Sequence, residues 1–478
     1  MIKKYKATKD NTITNAYQEN LVTRGTGSNM GRADILEVFS IYGQLSSSSG
    51  FSSEKSRILV QFDVETLTSD RNSGAVPSDA SYYLKLYNAR HAGTLPENFT
   101  LAVTAISSSW EEGLGLDMEN YSDLTYDVRG SNWIKREGST SWETDGGGGD
   151  YHSSPSYTAS FNIGTEDLEV DVTTLVNEWV AGTKQNYGFG IFLTGSLEDS
   201  SRSYYTKKFF ARSSHQFFDR PCLEARWDSS RRDDRSNFYS SSSLAPASDN
   251  LNTIYLYNYS RGRLANIPSV GTGLIYVDLY ETLSGSPETL CLNTPATGGY
   301  VSTGIYSCSV CVNTTSSTLY DVWHDGSSNQ FHTGTISIKS LSMNEVTDTG
   351  KYVFSVSNRQ NDYYYDQTHR IRIYARNKNW SPSIYTTATN VPDSLIFPSA
   401  SYQIYRVVDD RVIIPYDSGS TQSTRLSYDS SGSYFDLDAT ILEPNYTYGL
   451  RLSIYDTDTD SYEQQSFDYK FRVVKNVY

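Results

Sequence analysis

The chain has 478 residues, enough for two to four domains of ordinary size, and carries 40 basic against 55 acidic side chains, a net charge of 40 − 55 = −15. Aromatic residues make up 13% of the chain and include 39 tyrosines, a composition that excludes a disordered polymer. The acidic balance excludes a general nucleic-acid binder, and without a run of about 18 apolar residues no membrane insertion is predicted.

The N-terminal sequence MIKKYKATKDNTITNAYQEN has early lysines without an apolar stretch behind them, so no secretory signal peptide is predicted. The cysteines Cys222, Cys291, Cys308 and Cys311 are too few for a secreted disulfide scaffold. We therefore expect folding in a reducing cytosol. The Tyr-, Ser-, Thr- and Gly-rich composition is nevertheless typical of outward-facing surface proteins. A virus particle that is assembled inside the host cytoplasm and released by lysis combines both properties.

Residues 1–30, polar and punctuated by glycine, are predicted to form an N-terminal arm. Beyond them, segments rich in β-branched and aromatic residues predict strands. The first block of strands covers 34–43, 57–64, 82–90, 99–107, 187–195 and 204–212. One short helix is predicted inside it, between a capping Asp171 and Gly182. Its apolar positions recur at helical spacing and are Val172, Leu175, Val176 and Trp179.

Residues 229–250 mix charges, a run of serines and Pro246, and are interpreted as a linker. Strand patterns resume after it, and the last of them predict a hairpin at 448–474. The chain is therefore predicted to be all-β, with two to three β-sandwich domains of jelly-roll or Ig-like type in series. We place these domains at 31–228, 251–345 and 346–478.

Four residues have the spacing C-x2-C-x12-H-x7-H: Cys308, Cys311, His324 and His332. The last gap is too long for a zinc finger, and residues three apart on a strand point to opposite faces. We interpret the two cysteines as buried or half-buried sandwich residues and predict no metal and no cofactor.

Asp456, Asp458 and Asp460 resemble the start of a calcium loop. Ser461 and Phe467 stand where such a loop needs glycine and glutamate. We interpret this cluster as a polar turn, with a weak cation site as the open alternative.

Acidic residues are concentrated in the stretch 110–127: Glu111, Glu112, Asp117, Glu119, Asp123 and Asp127. A glycoside hydrolase needs two carboxylates at a set separation, and a sequence does not show that separation. No catalytic residue is predicted, and a hydrolase using Glu111 or Glu112 stays an alternative.

Tyrosines stand beside Arg, Lys and Asn at 201–210, 254–262 and 361–367. Tyrosine provides large contact area at low entropic cost and is enriched at protein interfaces. We predict contacts with neighbouring protein subunits through Tyr204, Tyr205, Tyr363, Tyr364 and Tyr365. Stacking of such rings on a glycan is the alternative.

The first block contains, in order, SSSWEEG, VDVTTLVNEWVAGTKQNYGFGIFL and RPCLEARW. In this order it resembles the DNRLRE-type β-sandwich domain of bacterial and phage surface proteins, over about residues 30–228. The resemblance rests on Trp110, Glu111, Val176, Trp179, Gly182, Asn186, Tyr187, Gly188, Pro221, Leu223 and Trp227. The long loop between Gly113 and Tyr157 departs from that family's pattern. The resemblance implies a structural or adhesive module without common catalytic residues.

The segments GRLANIPSVGTGLIYVDLY, GYVSTGIYSCSV and YDVWHDG carry a second resemblance, to virion structural proteins of marine tailed phages. It implies a component of the virus particle. We predict a non-enzymatic virion protein that contacts other virion proteins and forms a homo-oligomer. A neck or tail component, a tail fibre and a capsid decoration all stay open. A receptor-recognition module that binds a host surface glycan is the alternative, and a glycoside hydrolase is a further one.

Overall fold

A computed structural model of the chain describes residues 1–18, 21–47, 50–90, 95–116, 130–242, 244–327, 329–339, 352–379, 394–456 and 459–475. It divides into two compact units, Ile2–Trp227 and Asp228–Tyr478. Both are built almost entirely from strands arranged in several sheets, so the all-β prediction is confirmed. Among the described residues, no helix has the length and apolarity needed to cross a bilayer.

The first unit contains twelve strands within its described residues. They are β1 (Ile2–Thr14), β2 (Ile35–Ser47), β3 (Gly50–Phe62), β4 (Ser81–Leu86), β5 (Phe99–Ile106), β6 (Lys135–Glu137), β7 (Thr140–Ser141), β8 (Tyr151–Phe161), β9 (Leu168–Asp171), β10 (Phe189–Leu193), β11 (Tyr204–Phe210) and β12 (Cys222–Arg226). Ten of them form one sheet in the order β8-β5-β10-β3-β1-β12-β4-β9, with β2 joining β3 to β11. The strands β6 and β7 pair with each other.

The N-terminal segment is where the structure corrects the sequence most. Residues 2–14, predicted to be an arm, form β1, which stands between β12 and β3 in the sheet order. Its second half is polar yet buried, because the buried side chains find partners inside the protein. Asn11 Nδ2 donates to the Ser131 carbonyl at 2.9 Å, and Asn11 Oδ1 accepts from the Met30 amide at 2.9 Å. A polar strand of this kind lacks the alternation of apolar and polar residues by which strands are predicted from sequence.

Three helices accompany the first sheet: α1 (Val64–Ser73), α2 (Thr173–Val180) and α3 (Gly195–Glu198). The predicted helix is α2, and its buried residues are Leu175, Val176 and Trp179. The expectation of a single helix is wrong, because the described part of this unit has three. Apolar spacing did not reveal α1, since this helix buries only Leu67 and has no apolar stripe. Its ends are nevertheless marked, by the Asp63 carboxylate accepting from the Glu65 and Thr66 amides and by Gly74 at φ 75°.

Lys207 of β11 lies in the interior of the first unit with 1% of its surface exposed. Its ammonium group donates to Asn88 Oδ1 at 2.6 Å and to the carbonyls of Gly164 and Glu166, each at 2.8 Å. Burial lowers the pKa of this amine to about 8. All three of its N–H groups therefore have acceptors within the unit.

The second unit contains the remaining strands. They are β13 (Phe238–Tyr239), β14 (Asn252–Tyr257), β15 (Tyr259–Ser260), β16 (Arg263–Leu264), β17 (Leu274–Tyr280), β18 (Ala296–Ser302), β19 (Ile305–Val310), β20 (Thr318–His324), β21 (Gln330–Lys339), β22 (Tyr352–Val356), β23 (Asp362–Tyr364), β24 (Thr368–Asn377), β25 (Ala400–Arg406), β26 (Arg411–Ile414), β27 (Ser427–Asp429), β28 (Gly432–Asp438), β29 (Thr447–Asp456), β30 (Ser461–Gln464) and β31 (Tyr469–Val474).

These strands form a seven-stranded sheet (β13-β21-β20-β17-β18-β19-β14), a four-stranded sheet (β22-β24-β28-β27) and a six-stranded sheet in which β30 joins β23-β31-β29-β25-β26. The seven-stranded sheet has its own core around Trp323, Tyr306 and Ile254. In the other two sheets, the rings of Tyr402 and Phe435 stack with centroids 3.9 Å apart. The expected closing hairpin is present, with Asp456 paired to Ser461.

The segment predicted as a linker, 229–250, belongs instead to the second unit. Phe238 of β13 is fully buried in the core of the seven-stranded sheet, and β13 pairs in parallel with β21. The Tyr428 hydroxyl donates to Asp234 Oδ1 at 2.7 Å, which ties this segment to the third predicted domain as well. The second and third blocks therefore share one compact unit, because this short apolar strand anchors the connection.

Candidate functional site

The five tyrosines predicted to form contacts separate into exposed and buried residues. Tyr205 is 58% exposed and Tyr364 is 41% exposed, while Tyr365 is half-buried. Tyr204 is only 6% exposed and Tyr363 only 1%, so the prediction is wrong for these two. The reason is strand alternation: neighbours in β11 and β23 point to opposite faces of their sheets. The Tyr363 ring packs edge-on against His369 and Phe471.

Many other tyrosines build the cores of the molecule. The largest fully buried side chains include Tyr82, Tyr306, Tyr434 and Tyr448. Two of these hydroxyls donate to backbone carbonyls: Tyr306 to that of Gly271 and Tyr448 to that of Glu443, each at 2.7 Å. The tyrosine excess is therefore partly architectural.

Sequence reasoning missed four exposed tyrosines. These are Tyr259, Tyr300, Tyr446 and Tyr462, which are between 37% and 61% exposed. Tyr259 lies in the tyrosine run 254–262 but was not singled out, and the other three lie outside the runs that drew attention. The available signal was the period-2 pattern, which places every second residue of a strand on the outer face.

The acidic stretch proposed for a hydrolase is tied down by other side chains. The Arg212 guanidinium pairs with both carboxylate oxygens of Glu112, and Glu112 Oε1 also accepts from the Asp10 amide at 2.8 Å. Glu111 Oε2 accepts from the Gly130 amide at 3.2 Å. Asp117, Glu119, Asp123 and Asp127 lie outside the described residues. Glu112 therefore acts as a structural anchor between β1 and the loop after β5.

Asp10 is the carboxyl group in this cluster whose pKa is shifted. Burial raises its pKa to about 7, against the opposing hydrogen bond from the Arg212 amide. Such a value suits a general acid, but Asp10 has 0% exposure, so no substrate reaches it from solvent. The geometry favours a packing role for Asp10 and Glu112.

The four residues with the zinc-like spacing do not form one cluster. Cys308 lies in the core of the seven-stranded sheet, and Cys311 is joined by a disulfide to Cys291, with Cα atoms 5.4 Å apart. His324 Nε2 lies 3.1 Å from Asp278 Oδ2. Within the part of the chain that the structure describes, no three His, Cys, Asp or Glu residues are grouped to hold a metal ion. The disulfide was not foreseen, since its cysteines meet only when Leu290 pairs with Val312.

Of the D-x-D-x-D cluster, Asp456 is the last residue of β29 and Asp460 directly precedes β30. Asp458 lies outside the described residues. The Asp460 carboxylate accepts from the Tyr455 hydroxyl. The described part of this segment is therefore a turn fastened by its own side chains.

The residues that carry the family resemblance are architectural. Trp110 is buried and its Nε1 donates to the Tyr187 carbonyl at 2.8 Å, while Trp179 packs edge-on against Phe189. Gly188 has φ 91°, and a Cβ there would lie 2.2 Å from the Val60 carbonyl oxygen. The motif thus fixes how β3, β5, α2 and β10 meet.

A groove of about 900 Å³ lies where β1 and β3 meet α1 and the residues after α2. Its charges balance, with Lys9 and Lys184 against Asp63 and Glu65. Both lysines already donate to backbone carbonyls, those of Trp110 and Ser154.

Several groove side chains are free for a ligand. Glu65, Ser69, Asn72 and Gln185 make no side-chain hydrogen bond to any residue that the structure describes, and all four are exposed. Phe62, Val64, Trp179 and Val180 provide the apolar part of the groove's lining. A neutral polar ligand therefore suits this groove better than an ion.

The sequence matches no protein-family model and no curated protein. Solved structures do match, among them the adhesin InvE of Yersinia pseudotuberculosis, 12% identical over 46% of this chain and 54% of that chain, with a TM-score of 0.15. A chimeric titin Z1Z2 tandem is 14% identical over 47% of this chain and 90% of its own, with a TM-score of 0.15. The BSP domain of a biofilm associated protein is 8% identical over 92% of this chain and 66% of its own, with a TM-score of 0.16. The match spans about half of the adhesin chain, and at these TM-scores the likeness says nothing about function.

Proposed function

We propose that this chain is a non-enzymatic structural component of a tailed-phage virion that binds neighbouring subunits through tyrosine-bearing β surfaces. The observation that supports it is the set of exposed tyrosines on strands or directly beside them: Tyr205, Tyr259, Tyr300, Tyr364, Tyr446 and Tyr462. Tyrosine at such positions provides contact area with little entropic cost. The architectural role of the resemblance residues agrees with a module that works by shape.

The test is localisation. Mass spectrometry of particles purified from the phage that encodes this chain should find it in fixed proportion to the major capsid protein. Immunogold labelling would then place it at the neck, tail, fibre or capsid surface. Absence of the chain from washed, intact particles would overturn the proposal.

A second candidate function is glycan binding, and the groove between β1, β3 and α1 favours it. Free amide, hydroxyl and carboxylate groups beside Trp179 are the elements that recognise a sugar. We expect a glycan array to show weak binding that the double variant N72A/Q185A reduces at least ~10-fold, the effect of losing one or two hydrogen bonds. The matched control N162A/Q216A removes two exposed amides outside the groove and should bind as the unaltered protein does. A silent array, or equal loss in both variants, would remove this candidate.

A further inference from the structure

The hairpin formed by β15 and β16 is a distinct element of the second unit. Tyr259 pairs with Leu264 and Ser260 with Arg263, and the two strands form a sheet of their own. The turn residues Arg261 and Gly262 have φ 49° and 77°. Two consecutive left-handed residues define the type I′ turn of a two-residue hairpin.

Arg261 is not explained by the turn that it occupies. A left-handed conformation at this position favours Asn or Gly, because the Cβ of other residues crowds the backbone. Arginine therefore costs free energy here relative to those residues. Strain of this kind in an exposed loop points to a role for the side chain itself.

The base of the hairpin is held rigidly. The Ala265 amide donates to the Asn258 carbonyl at 3.1 Å, and Asn258 Nδ2 donates to the Ala265 carbonyl at 2.7 Å. The Asn258 amide donates to the Gly304 carbonyl at 2.7 Å, which fastens the base to the turn between β18 and β19. A fixed hairpin loses little entropy when it binds.

The tip of the hairpin combines cationic and apolar groups. Tyr259 is 61% exposed and Leu264 is 37% exposed. Arg261 and Arg263 are exposed and form no ion pair or side-chain hydrogen bond with any described residue. Tyr300 and Val301, which are also exposed, precede the turn that packs on the hairpin base. Arginine and tyrosine are the residues that most often dominate binding energy at interfaces.

We propose that this hairpin, residues 259–264, docks on an acidic surface of a second copy of the chain. The chain carries 15 more acidic than basic side chains, so two copies repel at long range and a local cationic patch offsets this repulsion at a contact. The exposed Arg261 and Arg263 supply that patch, and Tyr259 and Leu264 supply apolar area beside it. Two arginines on a chain of net charge −15 are too few for a nucleic-acid site. The inference rests on the proposed structural role, because it names the partner that one tyrosine-bearing surface binds.

Sedimentation equilibrium of the full chain, from 1 to ~100 µM at ~50 mM and ~500 mM salt, tests this contact. We expect concentration-dependent self-association that weakens at the higher salt and falls at least ~10-fold in R261E/R263E. The matched control R90E/K378E reverses two exposed charges outside the hairpin, with the same change in net charge, and should associate as the unaltered chain does.

A second variant separates binding from folding. R261G relieves the left-handed strain, so its melting temperature should equal or exceed that of the unaltered chain while its self-association weakens. A chain that is monomeric throughout, association unchanged in R261E/R263E and R261G, or an equal loss in R90E/K378E would overturn the proposal. So would hairpin-dependent retardation of a DNA or RNA probe. A monomer that is nevertheless present in purified virions would sink this contact and leave the structural role intact.

Discussion

Strand β1 of the first unit and strand β24 of the second each stand between two partner strands, yet different forces hold them there. β24 alternates cleanly, with His369, Ile371, Ile373 and Ala375 buried and its other side chains turned outward. β1 buries a run of polar residues instead: Asp10, Asn11, Thr12 and Thr14 have 0% exposure. Burial of apolar area needs no specific partner, whereas each buried polar group needs its own hydrogen bond. Strand β24 can therefore be predicted from its own sequence, whereas the burial of β1 depends on hydrogen-bond partners elsewhere in the chain.

The largest effect is expected from exchanging the two kinds of side chain. Ile371→Asn buries an amide without a partner and should lower the free energy of unfolding of the second unit by about 4 kcal/mol. Asn11→Leu removes the acceptor of the Met30 amide and the donor to Ser131, and should cost the first unit about 3 kcal/mol. Urea titrations followed by tryptophan fluorescence measure both.

The exposed residues Thr368 and Thr8 provide matched controls on the same strands. Their alanine variants should stay within about 0.5 kcal/mol of the unaltered chain. If Asn11→Leu were as stable as the unaltered chain, the polar network would not be what holds β1 in place.

The next effect separates neighbouring tyrosines of one strand. Tyr363→Ser empties a site packed against His369 and Phe471 and should cost about 3 kcal/mol. Tyr364→Ser, on the outer face, should change the stability by less than about 0.5 kcal/mol and should act on assembly. Thermal and chemical denaturation of the two variants, with Tyr204→Ser and Tyr205→Ser as a second pair, decides this. Equal destabilisation within a pair would contradict the alternation.

The third effect is a pH dependence that originates at Asp10 of β1. Burial raises the pKa of Asp10 to about 7, so the folded state holds a proton that the unfolded state releases near pH 4. The stabilising contribution is complete below about pH 4 and is lost as the pH rises through 7. A difference of about three pKa units corresponds to at most about 4 kcal/mol, so Asp10→Asn should gain up to that amount on the unaltered chain between pH 4 and pH 8, measured by urea titration at each pH.

Glu224 of β12 gives a pH dependence of stability with the opposite sign to that of Asp10. Burial raises its pKa, but Lys4, Lys85 and Arg226 outweigh burial and lower the value to about 2. Its contribution is present above about pH 4.5 and disappears as the pH falls towards 2. If Asp10→Asn followed the unaltered chain at every pH, the carboxyl group would be ionised in the folded state.

Strands β1 and β24 also show which elements of the fold can be predicted from the sequence. Strand patterns predicted six of the twelve described strands of the first unit, and apolar spacing predicted α2. It missed α1, where a single buried leucine leaves only the caps at Asp63 and Gly74 as signals. It missed β1 because Ser131 and Met30, the partners of Asn11, lie far away in the chain.

Site prediction was limited by the same cause. Dense tyrosine runs marked the strands correctly, but only the strand register decides which rings face solvent, as Tyr363 and Tyr364 show. The groove joins residues from β1, β3, α1 and the segment after α2, and no local pattern connects them. Free side chains such as Asn72 and Gln185 become visible as a group only when their neighbours in space are known.

The buried amine of Lys207 can serve as a chemical probe for opening of the first unit. Its pKa of about 8 leaves part of the amine uncharged at pH 8, but with 1% of its surface exposed and its N–H groups facing Asn88, Gly164 and Glu166 it is shielded from a reagent in solvent. An acylating reagent at pH 8 should therefore modify Lys208, its half-buried neighbour, and spare Lys207 until the unit opens. The rate at which the Lys207 peptide gains mass would then report the opening of the fold around β11, even inside an assembled particle.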